Sequence, residues 1–403
     1  MAKFWFLTLF LCVSAWGEDA AFWDPQTCVG CHREQVRAWS QSWHSRSYYD
    51  KNEIYRISVD FIAQKTRSPK GNILLKCGVC HNPHLEVKSV GDDYTYAKIF
   101  GIATTKTSLV DSSLHAKHIQ NGISCYVCHR IDEIREKHDD GDAGYKIVKW
   151  LEDDTLAGPF EETMRTDYHK SVKRSHFEDS DKICTICHQG GTGENKFGVY
   201  ETSAEHAASG SKQKCVECHM GKPLEAVNAP NISPDVAKVR INRSHLFIGR
   251  KDSEMLSSAI KVSFNPIRGI LSLENTTPHA VPTGFGGREI DLNITYLRTN
   301  GEVITSEGAS FAKTYADNDG ALTLPYLATR LTSDTRFGAK TRKDFSVYPP
   351  ASAAYVDVRL TYYPLAPALA VKMGLSANEN FLAPSIMFEG RFETKEYFEN
   401  LGK

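Results

Sequence analysis

One pattern recurs five times in the first half of the chain: two cysteines three apart, followed at once by a histidine. The copies are Cys28-Val-Gly-Cys31-His32, Cys77-Gly-Val-Cys80-His81, Cys125-Tyr-Val-Cys128-His129, Cys184-Thr-Ile-Cys187-His188 and Cys215-Val-Glu-Cys218-His219. Each reads as a c-type haem attachment site, in which two thiols form thioethers with the haem vinyls and the adjacent imidazole binds iron from one face. The five copies use every cysteine but one, which rules out coincidence. Zinc sites built from C-x-x-C take the pairs two by two, so five pairs leave one over, and zinc has no need of a histidine after every pair. A disulfide framework has no use for that histidine either. The expected cofactors are therefore five covalently attached haem c groups, with His32, His81, His129, His188 and His219 as proximal ligands.

A six-coordinate haem needs a second ligand, and ten histidines remain. His44, His118, His169, His245 and His279 are the favoured distal ligands; His84, His115, His176 and His206 are further candidates, and His138, amid Lys137, Asp139 and Asp140, is expected in solvent. Val36, Ala38, Trp39 and Trp43 have roughly helical spacing after His32, which would set His44 about 18 Å along that helix. His44 would then serve a neighbouring haem and draw two haems together. His115 and His118 would share a helical face that Asn121-Gly122 ends. His169 and His176 would lie two turns apart, about 10 Å, on different haems. His84, three residues past His81, can serve only another haem or none. Trp39 and Trp43 are expected to pack on porphyrin or core.

The rest of the chain must position these groups. The start, Met-Ala-Lys, an apolar run from Phe4 to Val13 and Ala15-Trp16-Gly17, reads as a secretory signal over residues 1–17, too short to span a bilayer and carrying off Cys12. Export to the periplasm or cell surface agrees with c-type haem. No later run has transmembrane length. Without Lys3 there are 47 basic and 49 acidic residues, and haem propionates add negative charge, which argues against nucleic acid and anionic membranes as partners.

Residues 18–222 hold all the motifs, which start 49, 48, 59 and 31 residues apart, a recurring module with irregular loops. They leave too little side-chain volume for an ordinary core, so the expectation is a mainly α and irregular domain wrapped around its haems. Residues 223–260 read as a linker plus a short helix supplying a distal histidine. Residues 261–403 alternate apolar and polar, as in Ile290, Leu292, Ile294, Tyr296 and Val356, Val358, Leu360, Tyr362, with a hairpin signal at Asn300-Gly301. This is an all-β, sandwich-like domain. Asp317-Asn318-Asp319-Gly320 lacks calcium-loop spacing and reads as a turn.

The run Cys-x-x-Cys-His-x6-Trp-x-x-Ser-x-His over residues 28–44 resembles the first module of multihaem cytochromes of the cytochrome c-552/c-554 family. Tyr168-His169-x6-His176 before Cys184, Cys215-Val-Glu-Cys218-His219-Met220, His245-Leu-Phe-Ile-Gly249 and His279-Ala-Val-Pro282-Thr283-Gly284-Phe285 are similar to later parts of that family. The resemblance implies distal roles for His245 and His279, and electron transfer outside the cytoplasm. Where the family has a Ser-Pro-Tyr-type segment, this chain has Ala204-Glu205-His206. Three functions follow for testing: an electron carrier between redox proteins with mostly bis-histidine haems; a reductase of a small nitrogen or sulfur compound at one haem with an open face; or a haem-bearing subunit of a filament or complex assembled through the β domain.

Overall fold

The computed structural model describes residues 24–136, 142–152, 154–161, 169–178, 180–193, 195–231, 238–376 and 379–401. The signal segment 1–17 and His138 lie outside the described residues.

Three of the motifs sit on helical turns, while the fourth, Cys184–His188, begins where the helix Ser180–Thr185 ends. In a helix, positions i, i+3 and i+4 share one face, so both thiols and the imidazole of one motif point the same way. Cys125–His129 and Cys215–His219 are complete short helices, and the second motif is the last turn of the helix Lys70–His81. The first motif opens the helix Val29–Gln41 with Cys28 as its N-cap, and the backbone at His32 departs from helical geometry (φ −113°, ψ 44°). That helix stops at Ser42, before Trp43 and His44. The expected continuous helix to His44 is therefore absent, and His44 lies in the bend that follows. Between the first two motifs the helix Glu53–Thr66 starts where the Asn52 side chain accepts the Tyr55 N–H at 3.1 Å. The helix Thr105–Leu114 ends at His115, and Gly122 (φ 62°) turns the chain into the third motif.

Two further expectations differ. Lys170–Lys173 is a strand paired in parallel with Thr155–Gly158, so His169 and His176 do not share a helix. Pairing with a distant segment has overridden local periodicity. Leu224–Val227, expected in a linker, pairs with Val239–Asn242 as a two-stranded ribbon. His245 follows that ribbon in a loop; the short helix Ser253–Ala259 comes only afterwards.

From Ile260 the chain is antiparallel β. Strands Arg342–Ser346, Ile270–Asn275 and Ile260–Asn265 form one sheet in that order. A second sheet runs Leu322–Thr323, Val303–Ala316, Glu289–Leu297, Tyr355–Tyr363, Ser385–Glu393, with Arg330–Asp334 also paired to Val303–Ala316. Gly301 (φ 85°) makes the hairpin between Glu289–Leu297 and Val303–Ala316. The sheets face each other over one core in which Leu271, Leu273, Ile290, Val356, Val358 and Leu360 are fully buried. Asp317–Gly320 is a turn in which the Asp317 carboxylate accepts the Asp319 and Ala321 N–H groups.

The amino-terminal half has no comparable core of its own. Two small clusters belong to it alone, one around Tyr94 and Leu85 and one around Ile131 and Ile147. A third joins Ile54, Val59 and Ile73 to Leu324, Leu365 and Leu369 of the β half, so the two halves share packing. Among the described residues no helix is long and apolar enough to cross a membrane.

Candidate haem-binding site

Where a core would lie in the amino-terminal half there is instead one continuous cavity of about 1980 Å³. Nine of the ten motif cysteines and all five motif histidines line it; so do His44, His169, His206, His245 and His279. Its wall is mostly apolar and includes Trp39, whose Nε1–H donates to the Ile123 carbonyl at 2.7 Å.

Inside this cavity histidines face each other in pairs. The ring centroids of His32 and His169 are 6.5 Å apart, His44 and His188 6.2 Å, His129 and His245 6.3 Å, and His219 and His279 6.4 Å. These are not van der Waals stacks, which would be about 4–5 Å. A metal held by two opposed imidazoles, about 2 Å from each nitrogen, sets the ring centroids about 6.2–6.4 Å apart. In each pair one histidine comes from a motif and the other from a different part of the chain.

In three of the four pairs, and at His81, the second ring nitrogen supports the same reading. Nδ1 of His32, His81, His129 and His219 is bonded to the carbonyls of Asn228 (3.0 Å), Ser47 (2.9 Å), Ala157 (2.7 Å) and Ile248 (2.7 Å). Nδ1 of His169, His245 and His279 is bonded to the carbonyls of Lys170 (3.2 Å), Arg243 (3.1 Å) and Ala280 (2.9 Å). A carbonyl accepts from N–H, which leaves Nε2 as the lone-pair nitrogen for iron and fixes the ring's direction. Burial favours the neutral form, the one that ligates, at several of the cavity's imidazoles: it takes His44 down to about 4, as does His219 nearby, and His188 to about 3, helped by His44. Burial likewise lowers His32, His81, His129 and His279, and His245 to about 4.

His44 is set by close backbone packing. The Ile123 N–H donates to the His44 carbonyl at 2.9 Å, and a Cβ on Gly122 would meet that carbonyl and Ser47 Oγ at 2.6 Å each. The His44 ring lies edge-on to Phe247 at 4.5 Å, and Phe247, with φ 49°, also touches His245 at 5.8 Å. The sequence carried no signal for Phe247.

The other candidates lie elsewhere. His118, expected as a distal ligand, lines a separate small recess beside His84 and Pro83, outside the main cavity. The His84 ring packs on Trp150 at 4.4 Å. His115 is exposed, its Nδ1 on the carbonyl of Asp111 in its own helix. His176 packs on Phe177, which separates it from His129. His206 reaches the cavity wall but spends Nε2 on the Gln213 carbonyl at 2.8 Å. His81 differs from the other motif histidines: Tyr55 stacks flat on its ring at 4.0 Å, and among the described residues no second imidazole is paired with it.

Residues 27–130, which hold the first three motifs, match the family model described as cytochrome c554 and c-prime. The fold is similar to the crystal structure of a penta-heme cytochrome c552 from Thermochromatium tepidum, with a TM-score of 0.67 and 20% identity over 91% of this chain and 98% of that one. No curated protein matches the chain. The motifs, the match of residues 27–130 and the fold point the same way: the first three motifs lie in a segment similar to the cytochrome c554 and c-prime family, on a fold similar to that of a penta-heme cytochrome c552.

Proposed function

We propose that the chain carries five haem c groups and moves electrons between redox proteins outside the cytoplasm. The observation that carries this reading is the set of four histidine pairs at iron-spanning separation. Cys28/Cys31, Cys77/Cys80, Cys125/Cys128, Cys184/Cys187 and Cys215/Cys218 would hold the haems, with the motif histidines on one face. His169, His44, His245 and His279 would ligate the haems of His32, His188, His129 and His219 respectively. Haem supplies a one-electron couple. Opposed imidazoles would hold four of the irons in either oxidation state without rearrangement and would keep small molecules off them. The test is haem quantitation with ferric and ferrous absorbance spectra of the exported protein. Five haems per chain with predominantly low-spin spectra are expected; a mass equal to that of the bare polypeptide would end the proposal.

A second reading rests on His81. With no imidazole opposite it among the described residues, that haem is the one at which a small nitrogen or sulfur compound would bind and react. Binding of cyanide or nitrite by one haem in five would favour a reductase; no binding at all would favour the carrier.

A further inference from the structure

Three cations gather around Trp43, and a fourth, Arg288, lies in electrostatic range of Arg250, with no carboxylate in ion-pair contact with any of them among the described residues. The Arg250 guanidinium lies 3.8 Å from the Trp43 ring centroid, Lys251 Nζ 5.3 Å and the Arg46 guanidinium 5.6 Å. Arg288 approaches from the β half. Its Nη1 donates to the Thr283 carbonyl at 2.6 Å and its Nη2 to Tyr200 Oη at 3.5 Å, while its Nε is buried with no hydrogen-bond partner. Burial, and then repulsion from Arg288, pull Arg250 down to about 10. Glu53 is near enough only for a weak electrostatic effect on Arg250 and Lys251.

Three other partly buried cations are neutralised. Arg336 pairs with Glu205 and Asp334, Lys313 with Glu201, and Arg174 with Asp132. Two like-charged guanidiniums left without a counter-charge in a low-dielectric interior would be strongly unfavourable, so their neighbourhood calls for an anion. Both Arg250 and Arg288 line the large cavity. Their neighbours place them at the His44–His188 pair: Trp43 precedes His44, the Tyr200 ring meets the His188 ring edge-on at 5.3 Å, and Arg288 lies in electrostatic range of His188. The anions a haem brings into such a cavity are its propionate carboxylates, and a guanidinium fork matches a carboxylate.

We propose that Arg250 and Arg288 bind the propionates of the haem held between His44 and His188, and that their charge raises the reduction potential of that haem above that of its neighbours. This rests on the haem reading above. Reduction adds negative charge to the haem, so a nearby cation favours the reduced form, and removing it favours the oxidised form.

The test is an EPR-monitored potentiometric titration of the holoprotein, with the His44–His188 component identified as the low-spin signal that His44→Ala abolishes. In Arg288→Gln, and separately in Arg250→Gln, the redox equilibrium of that component is expected to shift about tenfold toward the oxidised form, 59 mV for a one-electron couple. Arg288→Lys, which keeps the charge, should shift it by less than about threefold. Arg250→Gln keeps the test available should Arg288→Gln fail to fold. An unmoved component in a variant that retains five haems and its low-spin spectrum would overturn the proposal while leaving the haem reading intact; a wild-type protein without haem would overturn both. Exchange of chloride for phosphate at constant ionic strength separates a solvent anion from a propionate: a changed wild-type potential would mean that the cations hold a free oxyanion, and the proposal would fail.

Discussion

Replacing His44 by alanine should change the spin state of one haem and leave the other four alone. His44 and His188 face each other at 6.2 Å, and the His44 ring is held edge-on to Phe247 within a buried wall. Four such pairs and one motif histidine without an opposing imidazole among the described residues correspond to four low-spin irons and one high-spin iron, so about one fifth of the ferric haem of the wild type should be high spin. Removing His44 leaves His188 as the sole imidazole on its iron, and the high-spin share should rise to about two fifths. His219, which acts electrostatically on His44, is itself paired with His279 and so is not free to take its place. The assay is integration of high- and low-spin EPR signals against haem content by pyridine haemochrome. An unchanged high-spin share in a variant with five haems would refute the pairing of His44 with His188. A fully low-spin wild type would refute the account of His81.

Gly122→Ala should act on the same haem from a distance, since its Cβ would meet the His44 carbonyl and Ser47 Oγ at 2.6 Å in a backbone with φ 62°; a high-spin share between those of wild type and His44→Ala is expected by EPR. Acidification should spare the low-spin spectrum at pH 5. His44 and His188 titrate at about 4 and about 3 in the folded chain, below the ordinary 6.5, because of burial. The unfolded chain therefore takes up protons first: their contribution to stability is complete above 6.5, falls as the pH drops through the interval and is gone below about 3, and iron ligation moves the loss lower still. Conversion to high spin with a midpoint near 6, followed by absorbance, would contradict this. Leu271→Ala, at a fully buried position in the sandwich, should cost about 2–5 kcal/mol in denaturant unfolding and leave the haem spectra unchanged.

The sequence showed most clearly what depends on local spacing. Cys-x-x-Cys-His declares its chemistry because one helical turn brings its three groups onto one face. The strands Glu289–Leu297 and Tyr355–Tyr363 were legible because a sheet with one buried face imposes strict alternation, visible in Ile290, Leu292, Ile294 and Tyr296. The second histidines depend on long-range packing, and there local reasoning failed in part. His118 had helical spacing and a neighbouring glycine in its favour, but the helix stops at Leu114 and the residue turns toward His84. His169 and His176 have helix-like spacing but flank a strand whose partner, Thr155–Gly158, lies upstream. Arg250 and Arg288 carry no motif, and become significant only when the fold brings them to one cavity wall.

The pairing pattern also suggests how the haem half holds together. Each second histidine belongs to a different stretch from the motif it faces: His169 returns to the first module, His44 reaches forward to the fourth, and His245 and His279, after the last motif, turn back to the third and fifth. Ligation would thus close long loops, and a cross-link between distant residues removes unfolded-state entropy as a disulfide does. Direct contacts tie the modules further. Cys28 lies close to Cys125, and Cys215 to Cys184. Phe247 touches both His245 and His44, and thereby joins the third module to the fourth. The motifs are thus neighbours in the order first, third, fourth, fifth, with His81 of the second in electrostatic range of His188. A positive φ at a residue that carries a Cβ is costly. At Phe247 it places a ring between histidines of two different haem sites, where the two halves of that row meet, so the same contacts that replace a core also set the path along which electrons would pass.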